Sequence, residues 1–322
     1  MNKPVVLLID TLHPSFIDTL TQHGVDYFEG YHLTKEEILS QSEQYNGMAI
    51  RSRFVLDEAF LNKLTNTVVI GRAGAGMENI DAVAAAKNNI ELVNAPEGNK
   101  DAVGEYAIGM LLALNNHLVR VNQEVRNGIW QREKNRGIEI QGKTIAVIGF
   151  GNMGKAFAKK LQGFESNIIV YDPYIKISKT DFPYVTQVGL DAVFSQADII
   201  SFHVPITEET NQMVNDTFLT SFKKEITLIN TARGKVVNTQ SLVNAIKSGK
   251  VKYAALDVLE YESISFENLD ASKLPAAFQY LISSDRVLLS PHIAGWTLES
   301  NVKIATTMAA KMIAVFKERK LL

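Results

Sequence analysis

Three residues in the second half of the chain have side chains suited to acid–base chemistry on an anionic substrate: Arg233, Glu262 and His292. An arginine can hold a carboxylate through two parallel hydrogen bonds, and a histidine can exchange a proton near neutral pH. A carboxylate behind the histidine would orient its ring and favour its charged form. If the three side chains meet, they form a site that binds a carboxylate and moves a proton beside it.

The positions of these residues favour that interpretation over a structural one. Each alone has an ordinary alternative: Arg233 as a partner of loop carbonyls, Glu262 as a solvated acid, and His292 as a turn residue. Yet each of them comes after a separate apolar run that is typical of a buried strand. Because ligands of open α/β sheets bind outside the carboxyl ends of the strands, the sequence predicts that the three converge.

A glycine-rich turn in the middle of the chain predicts a dinucleotide site. Residues 144–148 are apolar, as in a buried parallel strand, and a helical pattern begins shortly after them. Between the two, Gly149, Gly151 and Gly154 form the pattern G-x-G-x-x-G. The first glycine permits a tight turn, the second lets the backbone approach a pyrophosphate, and the third lets the helix pack on the strand. The amino end of the helix then offers N–H groups to the phosphates.

The acid that follows the next predicted strand indicates which dinucleotide is bound. The apolar run 168–171 ends at Asp172. Its carboxylate can accept a hydrogen bond from a ribose hydroxyl, whereas it would repel the 2′-phosphate of NADP. The sequence therefore predicts NAD as the cofactor.

Short apolar runs alternate with helical patterns along the whole chain, which indicates α/β architecture with parallel sheets covered on both faces. The predicted strands are Val5–Asp10, Gly47–Ile50, Val68–Gly71, Ile90–Asn94, 144–148, 168–171, Ala197–Val204, Ile226–Ala232, Tyr253–Val258 and Val287–Ser290. The predicted helices are 14–23, 34–42, 57–64, 79–87, 99–120, 188–196, 215–222, 240–248 and 298–318. The polar stretch 122–142 is interpreted as a linker between two α/β units.

Composition narrows the class of protein further. A length of 322 residues suits two domains, and 46% hydrophobic with 21% charged residues is typical of a globular protein. The net charge of −2 argues against a protein that binds nucleic acid or a membrane surface. The chain has no cysteine, and its six histidines show no metal-ligand spacing, so no metal site is expected. The N-terminal apolar run is too short for a signal sequence, and no run is long enough to span a bilayer. These features predict a cytoplasmic protein.

The motifs, taken in order, resemble those of the D-isomer-specific 2-hydroxyacid dehydrogenases. The matching segments are Gly71–Asp81, Asn94–Asn99, Gly149–Gly154 with Asp172, His203–Thr207, Asn230–Gly234, Leu256–Val258 with Glu262, and Ser290–Gly295. The resemblance covers nearly the whole chain. It implies an oxidoreductase in which Arg233 binds the substrate carboxylate, His292 is the general acid and base, and Glu262 orients His292.

The resemblance also implies a cofactor site, a domain plan and an assembly. The residues that it assigns to NAD are Gly149, Gly151, Asn152, Met153, Gly154, Asp172, His203, Val204, Pro205, Thr231, Ala232, Asp257 and Gly295. It implies a Rossmann NAD-binding domain, residues 99–291, inserted into a flavodoxin-like substrate-binding domain formed by residues 1–98 and 292–322. A homodimer built on the NAD-binding domain is expected.

The identity of the 2-hydroxy acid depends on the substrate-side residues. Arg51, Ser52 and Arg53 follow a predicted strand, and two guanidinium groups beside a hydroxyl suit a phosphate or a second carboxylate. Within the family, this run together with Gly71–Asp81 most resembles the 3-phosphoglycerate dehydrogenases of serine biosynthesis. The substrate site is predicted to comprise Arg51, Ser52, Arg53, Gly74, Ala75, Asn99 and, from a partner subunit, Arg132. Solvated surface charge is the alternative role of Arg53 and Arg132.

Several features depart from the family pattern and leave other functions open. Phe54 and Ser263 replace residue types usual there, and the stretch from Ser263 to Arg286 is long, so Phe266, Phe278 and Tyr280 are candidates to cover the cleft or to contact a neighbour. Because the chain stops at Leu322, it is expected to be a short form without a regulatory domain and without serine feedback. The alternatives are a glyoxylate or hydroxypyruvate reductase, another D-2-hydroxyacid dehydrogenase, or a non-enzymatic NAD-sensing protein like the corepressors of this fold.

Overall fold

The computed structural model describes residues 3–262 and 275–322. The chain forms two compact units, one made of Met1–Lys100 with Trp296–Leu322 and the other of Asp101–Gly295. The units divide after Lys100 and after Gly295, whereas the sequence-based division falls after 98 and after 291. His292 consequently lies in the second unit.

The first unit is built on a five-stranded parallel sheet with the strand order β2-β1-β3-β4-β5. Its strands are β1 (Val5–Leu8), β2 (Asp26–Glu29), β3 (Gly47–Ile50), β4 (Val69–Arg72) and β5 (Glu91–Asn94). Its helices are α1 (Pro14–Gln22), α2 (Lys35–Ser40), α3 (Glu58–Leu61), α4 (Ala82–Lys87) and α12 (Leu298–Glu318). Helix α12 packs against α1 and against β4 and β5, so the end of the chain completes this unit. The strand order is that of flavodoxin-like folds.

The second unit is built on a seven-stranded parallel sheet with the order β12-β11-β10-β9-β6-β7-β8. Its strands are β6 (Thr144–Ile148), β7 (Asn167–Tyr171), β8 (Val185–Gln187), β9 (Ile199–Phe202), β10 (Ile226–Asn230), β11 (Val251–Leu256) and β12 (Val287–Leu289). Its helices are α6 (Leu118–Arg126), α7 (Asn152–Leu161), α8 (Leu190–Gln196), α9 (Asp216–Thr220), α10 (Thr239–Lys247) and α11 (Ala276–Ser283), together with most of α5 (Pro96–Asn115). This is the Rossmann order with a seventh strand, which confirms the predicted fold class.

Both sheets are covered on both faces. Successive residues of a strand point to opposite faces of the sheet, and in each unit they pack into two different apolar clusters. In β6, Ala146 and Ile148 join the cluster on one face, whereas Ile145 and Val147 join the cluster on the other. In the first unit, Ala49 and Met48 of β3 divide in the same way. A strand that is buried on both faces has a continuous run of apolar residues, which is why these strands could be predicted from the sequence.

The structure corrects several predicted elements. The single helix predicted over 99–120 is wrong: α5 ends at Asn115, and α6 begins at Leu118 after His117, whose φ is +54°. The predicted linker begins inside α6. Strand β2, which the sequence did not predict, is exposed at all four residues and so lacks an apolar signal. Strand β8 and helix α11 were also missed.

Helix α11 changes the interpretation of the long stretch before β12. Phe278 is only 2% exposed and packs in the core of the second unit, and the hydroxyl of Tyr280 accepts a hydrogen bond from Arg286. Neither side chain is therefore available to cover a cleft. Ser263 and Phe266 lie outside the described residues.

Across residues 3–262 and 275–322, no helix combines the length and apolar character required to cross a membrane. The same part of the chain contains no group of three or more His, Cys, Asp or Glu residues arranged to hold a metal ion.

Candidate active site

Glu262 and His292 form a direct pair in the loops that follow two neighbouring strands. Strands β11 and β12 are paired in parallel, with Leu256 opposite Leu289, so their carboxyl ends lie side by side. The Nδ1 atom of His292 lies 2.8 Å from Oε2 of Glu262, and both side chains are at least three-quarters buried. The second carboxylate oxygen of Glu262 accepts a hydrogen bond from the backbone N–H of Leu259. This pairing fixes the orientation of the imidazole through its Nδ1 atom.

The loop that carries His292 is held by Asp257, which is 1% exposed. Its carboxylate accepts hydrogen bonds from the hydroxyl of Ser290 (2.6 Å) and from the backbone N–H groups of Ile293 (2.9 Å) and Ala294 (2.8 Å). Its carbonyl accepts a hydrogen bond from the N–H of His292 at 2.7 Å. His292 has a φ of +56°, a conformation that a residue with a Cβ adopts rarely and keeps only when its surroundings fix it.

Replacing Asp257 by alanine is expected to destabilise the protein by about 3 kcal/mol, because three donors around a buried carboxylate lose their acceptor. Urea denaturation followed by circular dichroism measures the change. Asp285→Ala, which removes an exposed carboxylate just before β12, is the matched control and should change stability by less than about 0.5 kcal/mol. Equal stabilities of the two variants would contradict the anchoring role of Asp257.

Arg233 lies in the loop after β10, the strand next to β11 in the sheet. The side chain of Asn230, which is completely buried, shapes this loop by accepting from the N–H of Ala232 and donating to the carbonyl of Arg233. Gly234 lies directly against the next loop: a Cβ atom there would come within 1.9 Å of the carbonyl oxygen of Leu259. Only glycine permits this approach, which brings the loop of Arg233 onto the loop that leads to Glu262.

The glycine turn has the geometry of a phosphate cradle. Gly149 has a φ of +89°, and a Cβ atom at Gly154 would lie 2.0 Å from the carbonyl oxygen of Gly149, so the turn closes tightly on the start of α7. A Cβ atom at Gly151 would meet nothing within 4 Å, which leaves open space beside the backbone. Helix α7 begins at Asn152 without a side-chain cap on its first N–H groups, and Met153 and Gly154 follow in its first turn. These amides and the open space at Gly151 fit a pyrophosphate.

Asp172 supports the same turn from the end of β7. Its Oδ2 atom accepts a hydrogen bond from the N–H of Phe150 at 2.8 Å, and Oδ1 accepts from the N–H groups of Tyr174 and Ile175. The hydroxyl of Tyr174 donates to the carboxylate of Glu209, and this hydrogen bond raises the pKa of Tyr174 above its usual value. The sequence reasoning missed this pair because an exposed tyrosine and an exposed glutamate have no distinctive spacing.

Two residues assigned to the cofactor make side-chain contacts within the second unit. Asp257 holds the His292 loop, as described above. His203 is 9% exposed, its Nε2 atom lies 2.9 Å from the hydroxyl of Ser201, and its ring packs against Phe157. Its carbonyl oxygen would lie 2.7 Å from a Cβ atom at Gly149, so only its backbone borders the glycine turn.

The remaining assigned residues border the carboxyl ends of the strands. Val204 and Pro205 follow β9, Thr231 and Ala232 follow β10, and Gly295 is the last residue of the second unit. The hydroxyl of Thr231 is buried and has no hydrogen-bond partner among the described residues. A buried hydroxyl in this state fits a polar ligand at the strand ends.

Burial lowers the pKa of His203 to about 3, well below its ordinary value of 6.5. Between these values the unfolded chain binds a proton that the folded chain does not, so stability is expected to fall as the pH drops from about 6.5 towards 3, by up to about 1.4 kcal/mol per pH unit. His203→Phe should flatten this dependence in urea denaturation at several pH values, whereas the exposed control His23→Phe should keep it. An unchanged slope in the His203 variant would contradict the proposed origin.

Among the substrate-side residues, Arg53 connects three backbone segments of the first unit. Its guanidinium donates to the carbonyls of Ile9 and Gly30 at 3.2 Å and of Leu33 at 3.0 Å, and it stacks on Phe54 at 4.6 Å from the ring centroid. This structural use differs from the predicted role in substrate binding, and it gives the unusual Phe54 a function.

The loop Arg51–Arg53 is fixed by Asp10, which lies two residues after the end of β1. Oδ2 of Asp10 accepts hydrogen bonds from three successive amides, those of Arg51 (2.6 Å), Ser52 (3.2 Å) and Arg53 (3.4 Å). Asn79, which is 3% exposed, donates to the carbonyls of Arg51 and Phe54. Because the amides already bind a carboxylate, a substrate anion at this loop must use side chains. The guanidinium of Arg51 lies over the ring of Trp296.

The second predicted substrate segment follows β4, the neighbour of β3. Gly74 has a φ of +148°, and a Cβ atom there would lie 1.8 Å from Nη1 of Arg72, so the guanidinium crosses this glycine. The carbonyl of Gly74 accepts from the N–H of Ala95, and that of Ala75 accepts from the side chain of Asn94. Arg72 is a further cation beside this segment, and no pattern in the sequence predicts a role for it.

The last two predicted substrate residues belong to different units. Asn99 lies near the start of α5, and its Oδ1 atom is buried without a partner among the described residues. Arg132 is exposed in the second unit, in the segment after α6.

Comparison with known proteins identifies the family. The profile of the D-isomer specific 2-hydroxyacid dehydrogenase, NAD binding domain, matches residues 108–294. This match covers more than half of the chain, and the chain therefore belongs to the D-isomer-specific 2-hydroxyacid dehydrogenase family. It contains the family's NAD-binding domain, and NAD is its cofactor.

Two curated relatives have different activities in their names. D-3-phosphoglycerate dehydrogenase of Archaeoglobus fulgidus is 33% identical over 312 residues, which cover 97% of this chain and 57% of the relative. Hydroxypyruvate reductase of Thermotoga maritima is 34% identical over 287 residues, which cover 89% of each chain. The chain thus spans little more than half of the first relative and most of the second.

Solved structures show the same fold over nearly the whole chain. D-lactate dehydrogenase from Aquifex aeolicus, complexed with NAD and lactic acid, is 26% identical with a TM-score of 0.81, and the match covers 98% of this chain and 96% of the relative. A D-isomer specific 2-hydroxyacid dehydrogenase from Lactobacillus delbrueckii, in its NAD-complexed form, has a TM-score of 0.83 at 23% identity, over 98% and 97% of the two chains.

Proposed function

We propose that the chain interconverts a D-2-hydroxy acid and its 2-oxo acid with NAD, and that the preferred pair is 3-phosphoglycerate and 3-phosphohydroxypyruvate. The observation that carries the reaction type is the 2.8 Å contact between His292 and Glu262, in loops of the same sheet that carries the glycine turn. The assignment of substrate draws on Arg51 and on the phosphoglycerate dehydrogenases among the relatives. This activity belongs to serine biosynthesis, and a cytoplasmic location is part of the proposal.

The side chains divide the work of the reaction. Bound NAD supplies or accepts the hydride at C2 of the substrate. Arg233 holds the substrate carboxylate and so fixes C2. In reduction, Nε2 of His292 donates its proton to the C2 oxygen. In oxidation, Nε2 accepts the hydroxyl proton, and Glu262 stabilises the resulting imidazolium through Nδ1.

Hydroxypyruvate reductase is the second candidate function. It is favoured by the guanidinium of Arg53, which bonds to three carbonyls, and by the relative from Thermotoga maritima, whose length the chain nearly matches. Both candidates use the same Arg233, Glu262 and His292, so only the substrate distinguishes them.

The test is the oxidation of NADH, followed by absorbance, with 3-phosphohydroxypyruvate, hydroxypyruvate and glyoxylate. We expect kcat/KM to be highest for the phosphorylated substrate. A preference for hydroxypyruvate or glyoxylate would reject that substrate and support the second candidate. Absence of turnover with any 2-oxo acid would contradict both candidates.

We further propose a homodimer formed through the second unit. Helix α6 and the segment after it carry large apolar side chains that are each at least 41% exposed: Leu118, Val119, Val125, Ile129 and Trp130. Val119 and Ile129 also line a cavity of about 390 Å³. An apolar surface of this kind is typical of an interface. Sedimentation equilibrium should give twice the chain mass, and a monomer at micromolar concentration would contradict the proposal.

A further inference from the structure

Trp296 is a large exposed side chain that contacts a candidate substrate residue. It is the first residue after the return to the first unit, and its side chain is 67% exposed. The guanidinium carbon of Arg51 lies 4.4 Å from the centroid of its ring, within the range of a cation–π contact. No pattern in the sequence predicts a role for Trp296.

The stack uses the part of the guanidinium that an anion does not need. An aromatic ring contacts the flat face of a guanidinium, whereas a phosphate or carboxylate accepts hydrogen bonds from N–H groups in its plane. Stacking therefore restricts the rotamers of Arg51 without using those donors. A cation held in one orientation binds an anion more tightly than a mobile one, because less entropy is lost on binding.

The backbone of Arg51 is fixed as well. Its N–H donates to the carboxylate of Asp10 at 2.6 Å, and its carbonyl accepts from the side chain of buried Asn79. Arg53, two residues later, has a different role, because its guanidinium donates hydrogen bonds to three backbone carbonyls of the protein itself. Both guanidinium groups stack on an aromatic ring, Arg53 on its neighbour Phe54 and Arg51 on Trp296, which is distant in the sequence.

Arg72 adds a second positive charge at the same edge of the sheet. The last residue of β3, Ile50, pairs with Arg72 of β4, so Arg51 and Arg72 lie at the carboxyl ends of adjacent parallel strands. Ligands of such sheets bind at this edge. Two guanidinium groups there suit an anion with several acceptor oxygens.

We propose that Trp296 is a positioning residue that holds Arg51 to bind a phosphate on the substrate, remote from C2. The inference rests on the proposed dehydrogenase function and deepens it: Trp296 makes the enzyme selective for 2-hydroxy and 2-oxo acids that carry a second anionic group.

The first test compares Trp296→Ala, Trp296→Phe and wild type on 3-phosphohydroxypyruvate and hydroxypyruvate. Trp296→Ala should raise KM for the phosphorylated substrate about 10-fold with kcat little changed, and should change KM for hydroxypyruvate less than about 2-fold. Trp296→Phe retains an aromatic face and should recover most of the loss. Leu298→Ala, which truncates an 87% exposed apolar side chain two residues away, is the matched control and should behave as wild type.

The second test measures binding without turnover. With NADH present, 3-phosphoglycerate and D-glycerate form unreactive complexes, whose affinities calorimetry measures directly. Trp296→Ala should weaken 3-phosphoglycerate about 10-fold and leave D-glycerate unchanged. Equal melting temperatures of Trp296→Ala and Leu298→Ala would show that both variants are folded.

The outcomes separate this inference from the proposed function. If wild type turns over 2-oxo acids but Trp296→Ala affects both substrates equally, or neither, the role of Trp296 is refuted and the dehydrogenase function stands. If the loss is larger with a 2-oxo dicarboxylic acid than with the phosphorylated substrate, the assignment to phosphate is refuted. If wild type turns over no 2-oxo acid, the proposed function itself fails.

Discussion

Replacing His292 by alanine is expected to lower kcat about 10²–10⁴-fold, the range typical of a lost general acid or base. The effect arises in the chemical step, because the C2 oxygen would have no positioned group with which to exchange a proton. NAD affinity should change little, since no contact described for the glycine turn or Asp172 involves the His292 side chain. Steady-state turnover and a fluorescence titration with NADH measure the two quantities separately.

The control for this prediction is His23→Ala. His23 is an exposed histidine at the end of α1 in the first unit, and its Nδ1 atom lies 2.9 Å from the carbonyl oxygen of Thr19. The variant should keep wild-type kcat. Undiminished turnover in His292→Ala would remove His292 from the reaction, whereas a parallel loss of NADH binding would indicate a structural role instead.

Replacing Arg233 by alanine is expected to lower kcat/KM about 10²–10⁴-fold, because the substrate carboxylate would lose a charged, two-point contact. Most of the loss should appear in KM if Arg233 binds ground state and transition state alike, and in kcat if it orients C2 for transfer. Arg233→Lys keeps the charge but not the planar fork, so it should recover only part of the activity. Steady-state kinetics over a wide substrate range measures the division.

Arg126→Ala is the matched control, since Arg126 is an exposed arginine at the end of α6 in the same unit. It should leave kcat/KM within about 2-fold of wild type. Wild-type kcat/KM in Arg233→Ala, with this control also unchanged, would contradict the assignment of the substrate carboxylate to Arg233.

The strands and the glycine turn could be predicted from the sequence because their signals are local. Residues 144–148 are apolar since β6 is buried on both faces, and the three glycines follow at fixed spacing. The pairing of Glu262 with His292 could be anticipated for a topological reason: in a parallel sheet, residues after neighbouring strands share one edge. Topology predicts that the loops of these two residues lie at one edge of the sheet, but it does not predict which of their atoms are in contact.

What the sequence left out depends on tertiary contacts. Helix α5 ends because His117 adopts a left-handed backbone conformation. The spacing of apolar residues in the sequence does not reveal such a conformation. Asp257 and His203 belong to motifs shared with the family, yet their side chains hold a loop and fill the core. A motif shows that a residue type is needed at a position, whereas the contacts in the structure show which role that residue has.

The substrate loop shows the same limit in a different form. From the sequence, Arg51 and Arg53 are equivalent cations after one strand. In the structure, Arg53 bonds to carbonyls of the first unit, whereas Arg51 stacks on Trp296, far away in the sequence. The difference depends on where β1, β2 and the C-terminal return lie relative to the loop, which is long-range information.

Isotope transfer tests whether the enzyme moves a hydride between NAD and C2 of a D-2-hydroxy acid. Wild-type enzyme would be incubated with a 2-oxo acid and NADH stereospecifically deuterated at C4 of the nicotinamide, and the product analysed by mass spectrometry and chiral chromatography. We expect one diastereomer of deuterated NADH to deliver its label to C2, giving the D-isomer. A product without deuterium from either diastereomer, an L-isomer, or no product would contradict it.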